Sequence, residues 1–481
     1  MASMQVFRRV VRLLPLLPVS VLVALTTTTP VPGRWVDIFG AMPQLVESYN
    51  LPGPPYTQPN VVFANTTLRQ TLYLTQPATT IRIHLTNVFG GSDLPITAAT
   101  VALPVNGSVS GTSPIQPATL QTLTFGGPGP GLGCTIPAGA SALSDPVTLP
   151  AGLRAGTVLT LSLYLADGQA TNSITGHPGS RVTTYLAPGN QVAAPDVALV
   201  AGVQTVEHWY LVAAVQAWLP RQHASLVIVG DSLTDGRGST ENRNDRWPDA
   251  LLARMQLAGA GARDGDGAAT TGRGGFGVAD IAVVSVAAGG NRVLYDGLGP
   301  NAMGRIDRDV LARPGARYVI IYIGINDLLT AGADAESQQK TGNRLLFSYD
   351  QMITRMHAAG LAVFGATITP FISADQALDE PPRELQRQRV NAWIRGSGRY
   401  DSVLDFDAAV RDPVNATQLD PRYNSGDWLH MTPTGYRALA EAVDLGLFEK
   451  FSHGYQGMLG RRKASTAVHT QSGKGHKCQG S

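Results

Sequence analysis

A repeated alternation in the second half of the chain constrains the fold most strongly. Five short apolar runs, at 225–230, 281–286, 317–323, 361–368 and 402–406, alternate with segments of helical periodicity at 246–258, 301–313, 339–359, 381–396 and 432–450. Apolar strands that are separated by helices are typical of a parallel sheet covered by helices on both faces. The sequence therefore predicts an α/β fold with a five-stranded parallel sheet over 221–451.

The region before residue 221 follows a different pattern. Apolar and polar residues alternate from about Leu68 to Trp218, for example in 81–86 and in 159–165. A period of two, interrupted by Pro, Gly and Ser turns, predicts half-buried antiparallel strands. A chain of 481 residues is also long enough for two cores. We therefore expect 35–220 to form an all-β domain, either a sandwich or a jelly-roll-like fold.

The N-terminal residues have the composition of a secretory signal. A basic start is followed by the apolar segment Leu13–Leu25 and then by threonines and prolines, which matches the n-region and h-region of a signal peptide. The apolar segment is short for a bilayer span and contains two prolines. We expect 1–33 to be a signal peptide, with an uncleaved signal anchor as the alternative, because no clear cleavage site precedes Val31.

The overall composition indicates which partners and which cellular compartment to expect. The formal net charge is +2 and 15% of the residues are charged, and much of the positive charge lies at the two ends, so we expect no nucleic-acid partner. A body poor in charge and rich in Gly, Thr, Ser and Pro is typical of extracellular proteins, so we expect secretion. The basic tail 452–481 has almost no large apolar residues, which predicts disorder.

Three further sequence features concern covalent modification and metals. The sequons at Asn65, Asn106 and Asn415 are candidate glycosylation sites in an exported eukaryotic protein. Two cysteines, Cys134 and Cys478, do not make a disulfide framework, and we expect no bridge between them. We expect neither a metal nor another cofactor, because the chain has no His/Asp cluster with ligand spacing.

Polar residues follow the predicted strands at the point where each strand ends. Ser232 follows the first strand in "GDSLTDG", Gly290 the second in "GGNR" and Asn326 the third in "GIND", while Asp427 and His430 lie in "DWLH" just before the last helix. Ligands of an open parallel sheet bind at the carboxyl ends of its strands. We therefore expect these five residues to lie together.

These residue types supply the parts that acyl transfer needs. A serine hydroxyl is a weak nucleophile until a base removes its proton, and a third group must orient that base. Ser232 is the candidate nucleophile, His430 the base and Asp427 the orienting acid. The backbone N–H groups of Ser232 and Gly290 and the Asn326 amide are candidate oxyanion donors.

Each of these motifs also has a structural interpretation. Gly-Asp-Ser and Gly289-Gly290 are compatible with simple turns, and Asn326-Asp327 with a helix cap. His430 could cap the final helix at the surface. However, the other histidines lie in the tail, after the last helix, in the β-rich region or at the opposite edge of the sheet. The joint occurrence of the motifs at one edge favours catalysis.

The four motifs around Ser232, Gly290, Asn326 and His430 resemble the four blocks of the SGNH, or GDSL-type, hydrolase superfamily. The resemblance implies a flavodoxin-like α/β/α sandwich that hydrolyses esters through a Ser-His-Asp triad with a Ser/Gly/Asn oxyanion hole. Longer stretches are similar to a secreted subgroup related to xylan esterases, which carries an N-terminal β-rich region. Members often have Asn five residues before the oxyanion glycine, where this chain has Ser285; this departure implies that the loop around Gly290 is held differently.

The leading functional expectation is a secreted serine esterase that removes O-acyl groups, above all acetyl groups, from plant-wall polysaccharide. The alternatives are a lipase or lysophospholipase with a broad apolar acyl channel and a carbohydrate-binding protein without turnover. The β-rich domain is expected to shape the catalytic cleft, with glycan binding as the other possibility. We expect a monomer with no stable membrane association unless the N-terminal segment is an uncleaved anchor.

Overall fold

The computed structural model describes residues 32–456, except 106, 108, 127–132, 262–276 and 374–379. The chain divides into a first unit, Met1–Pro32, and a second unit that begins at Gly33. The first unit, apart from Pro32, lies outside the described residues. The same holds for Asn106, for Cys478 and for all but the first five residues of the expected tail.

The part of the second unit before residue 221 is built from strands. They are β1 (Gly33–Gly40), β2 (Gln44–Leu45), β3 (Thr57–Gln58), β4 (Val61–Val62), β5 (Thr66–Tyr73), β6 (Ala78–Thr86), β7 (Leu94–Ile96), β8 (Ala98–Ala102), β9 (Gln121–Thr122), β10 (Cys134–Ile136), β11 (Ser141–Leu143), β12 (Val147–Leu153), β13 (Val158–Leu165), β14 (Thr175–His177), β15 (Thr184–Pro188), β16 (Gln204–Val206), β17 (Trp209–Tyr210) and β18 (Val212–Pro220). Short 3-10 turns cover Ser48–Asn50, Pro117–Thr119 and Val197–Leu199.

Two large antiparallel sheets organise this strand-rich part. One has the order β1-β18-β6-β11, with β12 also paired to β6, and the other has the order β16-β15-β5-β13-β8-β9. Smaller sheets join β17-β14-β2, β10-β7 and β3-β4. The leucines and isoleucines of β6 and β13 are fully buried in one connected hydrophobic core. The prediction of an all-β domain before the α/β part is confirmed.

The prediction that these strands are half-buried is right for β6 and wrong for β13. In β13 the polar residues Thr160 and Ser162 are buried as well as the leucines. Arg69 of β5 is also fully buried, donating to Ser162 Oγ at 3.0 Å and to the Ser113 carbonyl at 3.1 Å. Loop residues therefore cover the polar face of this sheet, and a period-two pattern carries no information about such loops.

The α/β part contains a five-stranded parallel sheet in the order β20-β19-β21-β22-β23. Its strands are β19 (Ala224–Gly230), β20 (Ile281–Ala287), β21 (Ala316–Tyr322), β22 (Ala362–Ala366) and β23 (Ser402–Leu404). Every residue of β19 and β22 is buried, as expected for strands covered on both faces. The order second-first-third-fourth-fifth is the flavodoxin-like order, so the predicted fold class is confirmed.

Each predicted periodic segment contains a helix. The helices are α1 (Ser232–Asp235), α2 (Trp247–Gly261), α3 (Ala302–Ile306), α4 (Ile325–Thr330), α5 (Ala335–Ala358), α6 (Pro381–Gly396), α7 (Phe406–Val410), α8 (Pro433–Glu441) and α9 (Gly446–Lys450). The short helices α1, α4 and α7 lie outside the predicted segments. The pattern at 301–313 continues from α3 into a π-helical turn, Asp307–Leu311, and the pattern at 432–450 is two helices. Among the described residues, we find no helix both long and apolar enough to cross a membrane.

Candidate active site

The turn between β19 and α1 presents Ser232 at the carboxyl edge of the sheet. Asp231 caps α1, and its side chain accepts a hydrogen bond from the Leu233 N–H at 3.0 Å. Gly230 is required because a Cβ there would lie 2.5 Å from the Thr234 side chain. Asp231 is thus a capping residue of α1.

Ser232, His430 and Asp427 form a continuous hydrogen-bonded series. Ser232 Oγ lies 2.7 Å from His430 Nε2, and His430 Nδ1 lies 2.6 Å from Asp427 Oδ2. Ser232 and His430 are both buried. The Asp427 carboxylate accepts a hydrogen bond from His430 Nδ1, so the neutral imidazole carries its proton on Nδ1. The lone pair of Nε2 therefore faces the serine hydroxyl.

The loop that carries His430 fixes the Asp427 carboxylate firmly. Asp427 Oδ1 accepts from the backbone N–H groups of Leu429, at 3.1 Å, and His430, at 2.7 Å. Burial alone would raise the pKa of Asp427, but the hydrogen bonds from the His430 ring and backbone outweigh it and hold this pKa well below its usual range. The acid of the series therefore stays ionised at every pH at which the protein is expected to work.

The candidate oxyanion donors line the same cleft as Ser232 and His430. Gly290 has a left-handed φ of 70°, and a Cβ there would lie 2.4 Å from Leu298 Cδ1. Asn326 Nδ2 donates one hydrogen to the Asn291 carbonyl at 3.0 Å. This bond fixes the amide, whose second hydrogen remains for another acceptor. The structure thus brings together all five residues that the sequence singled out.

Two carboxylates that sequence reasoning did not assign hold the loop that contains Gly290. Asp327 accepts from the N–H groups of Val293, at 2.8 Å, and Leu294, at 3.0 Å. Asp235 accepts from the Gly289 N–H at 3.1 Å. Asp327 belongs to the motif "GIND" and Asp235 to the motif "GDSLTDG". Their positions within these motifs were the sequence signal that could have placed them near the site.

Burial leaves two of the acids near Ser232 hard to ionise. It raises the pKa of Asp231 to about 7, against the hydrogen bond from the Leu233 N–H and with a smaller upward contribution from the charge of Asp327. It likewise raises the pKa of Asp327 to about 6, against the hydrogen bonds from Val293 and Leu294. The raised pKa values of both acids reduce the average negative charge near Ser232, where the oxyanion develops.

The candidate site opens into a cleft of about 550 Å³ lined by both parts of the second unit. The strand-rich part contributes mainly polar groups, namely Gln44, Glu47, Tyr49, Asn50, Arg181 and Glu207. The α/β part adds Arg237, Glu241, Leu298 and Leu429 around the reactive residues. The walls of the cleft therefore combine charges of both signs, amides and a few apolar side chains.

The other predicted sites are separate from this cleft. Asn65 and Asn415 are both exposed, and Asn65 Oδ1 accepts from the Tyr164 hydroxyl at 2.9 Å. Cys134 is a free thiol in β10, where burial raises its pKa to about 11. Within the part of the chain that the structure describes, no group of three or more His, Cys, Asp or Glu side chains is arranged to hold a metal ion.

Residues 228–438 match the model of the GDSL-like lipase/acylhydrolase family. This segment spans the sheet from within β19 to within α8 and includes Ser232, Gly290, Asn326 and His430. It is a GDSL-like lipase/acylhydrolase domain. The GDSL domain therefore belongs to a family of ester hydrolases, as the four sequence motifs predicted.

Solved structures similar to the chain include an acetylxylan esterase and a lipase/acylhydrolase. An acetylxylan esterase from Geobacillus stearothermophilus is 18% identical, and the match covers 49% of this chain and 98% of that one with a TM-score of 0.33. A lipase/acylhydrolase from Enterococcus faecalis is 16% identical, and the match covers 47% of this chain and 96% of that one with a TM-score of 0.31. Among curated protein sequences, none matches the chain.

Proposed function

We propose that the protein is a serine esterase that hydrolyses small O-acyl groups, chiefly acetyl, from carbohydrate. Ser232, His430 and Asp427 are the catalytic triad of this proposal, and Ser232, Gly290 and Asn326 form its oxyanion hole. The observation that carries the triad is the series of two short contacts, 2.7 Å and 2.6 Å, that runs from the serine hydroxyl through the imidazole to the carboxylate.

The reaction proceeds in two acyl-transfer steps. Ser232 Oγ attacks the ester carbonyl while His430 Nε2 takes the hydroxyl proton, and the oxyanion donors receive the negative charge that forms on the carbonyl oxygen. The C–O bond to the alcohol then breaks as His430 returns the proton to the departing oxygen. Water then attacks the acyl-serine while His430 takes its proton. His430 returns this proton to the Ser232 oxygen as the acyl C–O bond breaks, which releases the carboxylic acid and free Ser232.

The lining of the cleft favours a sugar alcohol over a lipid. Of the cleft residues, the large apolar or aromatic side chains are Tyr49, Leu298 and Leu429, whereas Glu47, Arg181, Glu207, Arg237 and Glu241 carry charge. Charged and amide groups bind hydroxyls by hydrogen bonds, whereas a long acyl chain needs a continuous apolar surface to gain from burial. The lipase alternative lacks such a surface among the described lining residues.

We also propose that the protein is exported and acts as a monomer outside the cell. The basic and apolar pattern of the first 33 residues supports export, and exposure of Asn65 and Asn415 is compatible with glycan attachment. The test is expression of the full chain with a C-terminal epitope tag. Recovery of glycosidase-sensitive monomer from the medium is expected, and retention in the membrane fraction would favour the anchor alternative.

A chain-length series tests the proposed substrate. Rates are measured on nitrophenyl acetate, butyrate and a long-chain ester, together with acetate release from acetylated xylan. We expect the acetyl ester to have the highest kcat/KM and acetate to be released from the polymer. A preference for the long-chain ester would contradict the carbohydrate proposal and favour a lipase.

A further inference from the structure

A second buried His–Asp pair contacts the loop that contains Gly289 and Gly290, called here the oxyanion loop. His177, the last residue of β14, places Nε2 2.9 Å from Oδ1 of Asp235, the last residue of α1. The two residues are only 3% and 4% exposed. This pair joins the strand-rich part to the helix that begins at Ser232.

The Asp235 carboxylate connects this pair to the oxyanion loop. Its other oxygen, Oδ2, accepts from the Gly289 N–H at 3.1 Å, and Gly289 immediately precedes Gly290. One carboxylate is therefore bonded to the strand-rich part through one oxygen and to the oxyanion loop through the other. A change in its direction would move the Gly290 peptide, whose N–H is the proposed oxyanion donor.

The strand-rich part encloses the carboxylate on more than one side. His177 Nδ1 lies 3.2 Å from the Met42 carbonyl, and its ring stacks on Trp209 at a centroid distance of 5.7 Å. The backbone of Gly179 lies against Asp235, since a Cβ there would come within 1.7 Å of Oδ2. The His177 ring thus has a single orientation, and it fixes the direction of Asp235 in turn.

We propose that His177 is a positioning residue for ester hydrolysis, acting through Asp235 and Gly289 on the Gly290 oxyanion donor. The proposal rests on the proposed esterase function. It makes the strand-rich part a structural component of the oxyanion hole, because a histidine from outside the GDSL domain orients the carboxylate that binds the Gly289 N–H.

Three substitutions at His177 separate its contacts. His177→Gln keeps an N–H donor near the position of Nε2, whereas His177→Asn keeps a donor only on the Met42 side and His177→Leu keeps neither. Loss of a correctly placed oxyanion donor acts on the transition state, so His177→Leu and His177→Asn should lower kcat for nitrophenyl acetate by roughly 10–100-fold with KM within about threefold. His177→Gln should recover most of the wild-type kcat.

The chain offers a matched control at the opposite edge of the sheet. His357 Nε2 lies 2.9 Å from Asp401 Oδ2, which also accepts from the Val363 N–H at 2.8 Å. This pair repeats the chemistry of His177, Asp235 and Gly289 but lies at the amino end of β22. His357→Leu should therefore lower thermal stability without lowering kcat by more than about twofold.

A fluorophosphonate probe gives a readout that does not depend on the natural substrate. Its phosphoryl oxygen occupies the oxyanion hole while the Ser232 oxygen bonds to phosphorus and the serine proton leaves with fluoride as HF. Labelling of Ser232 should be slowed in His177→Leu and His177→Asn by a factor similar to the loss in kcat. If acetyl esters prove not to be substrates but labelling is slowed in this way, the substrate proposal fails and this inference stands.

Equal activity and labelling in folded His177→Asn and His177→Gln would overturn the inference. So would a loss of kcat in His357→Leu as large as that in His177→Leu, because the effect would then be a general consequence of losing a buried pair. If His177→Leu does not fold, the comparison of the Asn and Gln variants decides, since each keeps one polar contact.

Discussion

Asp37 of β1 and Arg313 of the turn before β21 form a buried ion pair, with Nη1 2.9 Å from Oδ2. The same guanidinium donates to the Ala41 carbonyl at 3.1 Å. Burial raises the pKa of Asp37, although the Arg313 charge acts in the opposite direction. The first strand of the strand-rich part is thus bound electrostatically to the GDSL domain.

Removing one partner of this pair should be costly. Asp37→Ala leaves the Arg313 guanidinium buried without its counter-ion, so we expect it to lower the free energy of unfolding by about 3–5 kcal/mol. Asp350→Ala is the control, because it breaks the exposed ion pair with Arg399, a change expected to cost less than about 1 kcal/mol. Urea unfolding of both variants measures the difference, and equal small losses would contradict the prediction.

Asp231→Asn should change how stability depends on pH. An unfolded Asp ionises near pH 3.9, whereas the pKa of folded Asp231 is raised to about 7. Between these values the folded state binds more protons than the unfolded chain, so the contribution of Asp231 to stability falls as pH rises. Relative to wild type, Asp231→Asn should gain on the order of 2–4 kcal/mol of unfolding free energy from about pH 4 to about pH 8.

The control for this experiment is Asp334→Asn at the start of α5. Asp334 is also a capping aspartate, but hydrogen bonds from Ser337 lower its pKa. Its carboxylate stabilises the fold above the unfolded pKa, and this contribution is lost as pH falls through the folded pKa. The two variants should therefore show pH dependences of opposite sign, and parallel curves would refute the assignment of Asp231.

Asp427→Asn tests the orientation of His430. An amide nitrogen facing Nδ1 would favour the ring tautomer with its proton on Nε2, which cannot accept the Ser232 proton. We expect kcat for nitrophenyl acetate to fall by roughly 10⁴-fold while the fold is retained. Circular dichroism and steady-state kinetics check both points, and a folded variant that loses less than about tenfold would argue against this role.

Tyr49 is predicted to recognise the alcohol part of the substrate. Tyr49 is 74% exposed and lines the cleft, and the Gln44 and Asn50 amides donate to the carboxylate of Glu47, two residues earlier, at 2.7 Å and 3.0 Å. An aromatic ring that is exposed on a hydrogen-bonded turn can pack its apolar face against a sugar ring. Tyr49→Ala should raise KM for acetylated xylo-oligosaccharides by about tenfold and leave nitrophenyl acetate unaffected within about twofold.

The control for Tyr49 is Phe347→Ala on α5. Phe347 is also an exposed aromatic residue, 60% exposed, and it is not among the residues that line the cleft. Phe347→Ala should leave KM unchanged for both acetylated xylo-oligosaccharides and nitrophenyl acetate. A similar effect of the two substitutions, or none from Tyr49→Ala, would mean that the cleft binds the alcohol elsewhere.

The sequence predicted the α/β sheet and the five candidate residues because both depend on local patterns. An apolar run marks a buried strand, and the order of runs and helices determines which edge carries the following residues. Ser232 and His430 are 198 positions apart, yet each is placed by its own strand or helix. Their contact was predictable without any knowledge of side-chain packing.

The contacts between the two parts were not predictable in this way. His177 was classed with the strand-rich region, and nothing in its local pattern indicates that Asp235, 58 positions later, is its partner. Burial of Thr160 and Ser162 likewise depends on loops that a strand pattern does not describe. The exposure of Tyr49 is a property of the assembled cleft, so it also required the structure.

Hydrolysis of nitrophenyl acetate by Ser232→Ala is the most direct test of the proposed function. Without the Ser232 hydroxyl no acyl-serine can form, so we expect a loss of at least about 10⁴-fold in kcat. The variant should keep the circular dichroism spectrum of the wild type. The substitution is verified by sequencing, and folding is checked by circular dichroism. If the folded variant then retains activity within about tenfold of wild type, the proposal that Ser232 is the nucleophile is contradicted.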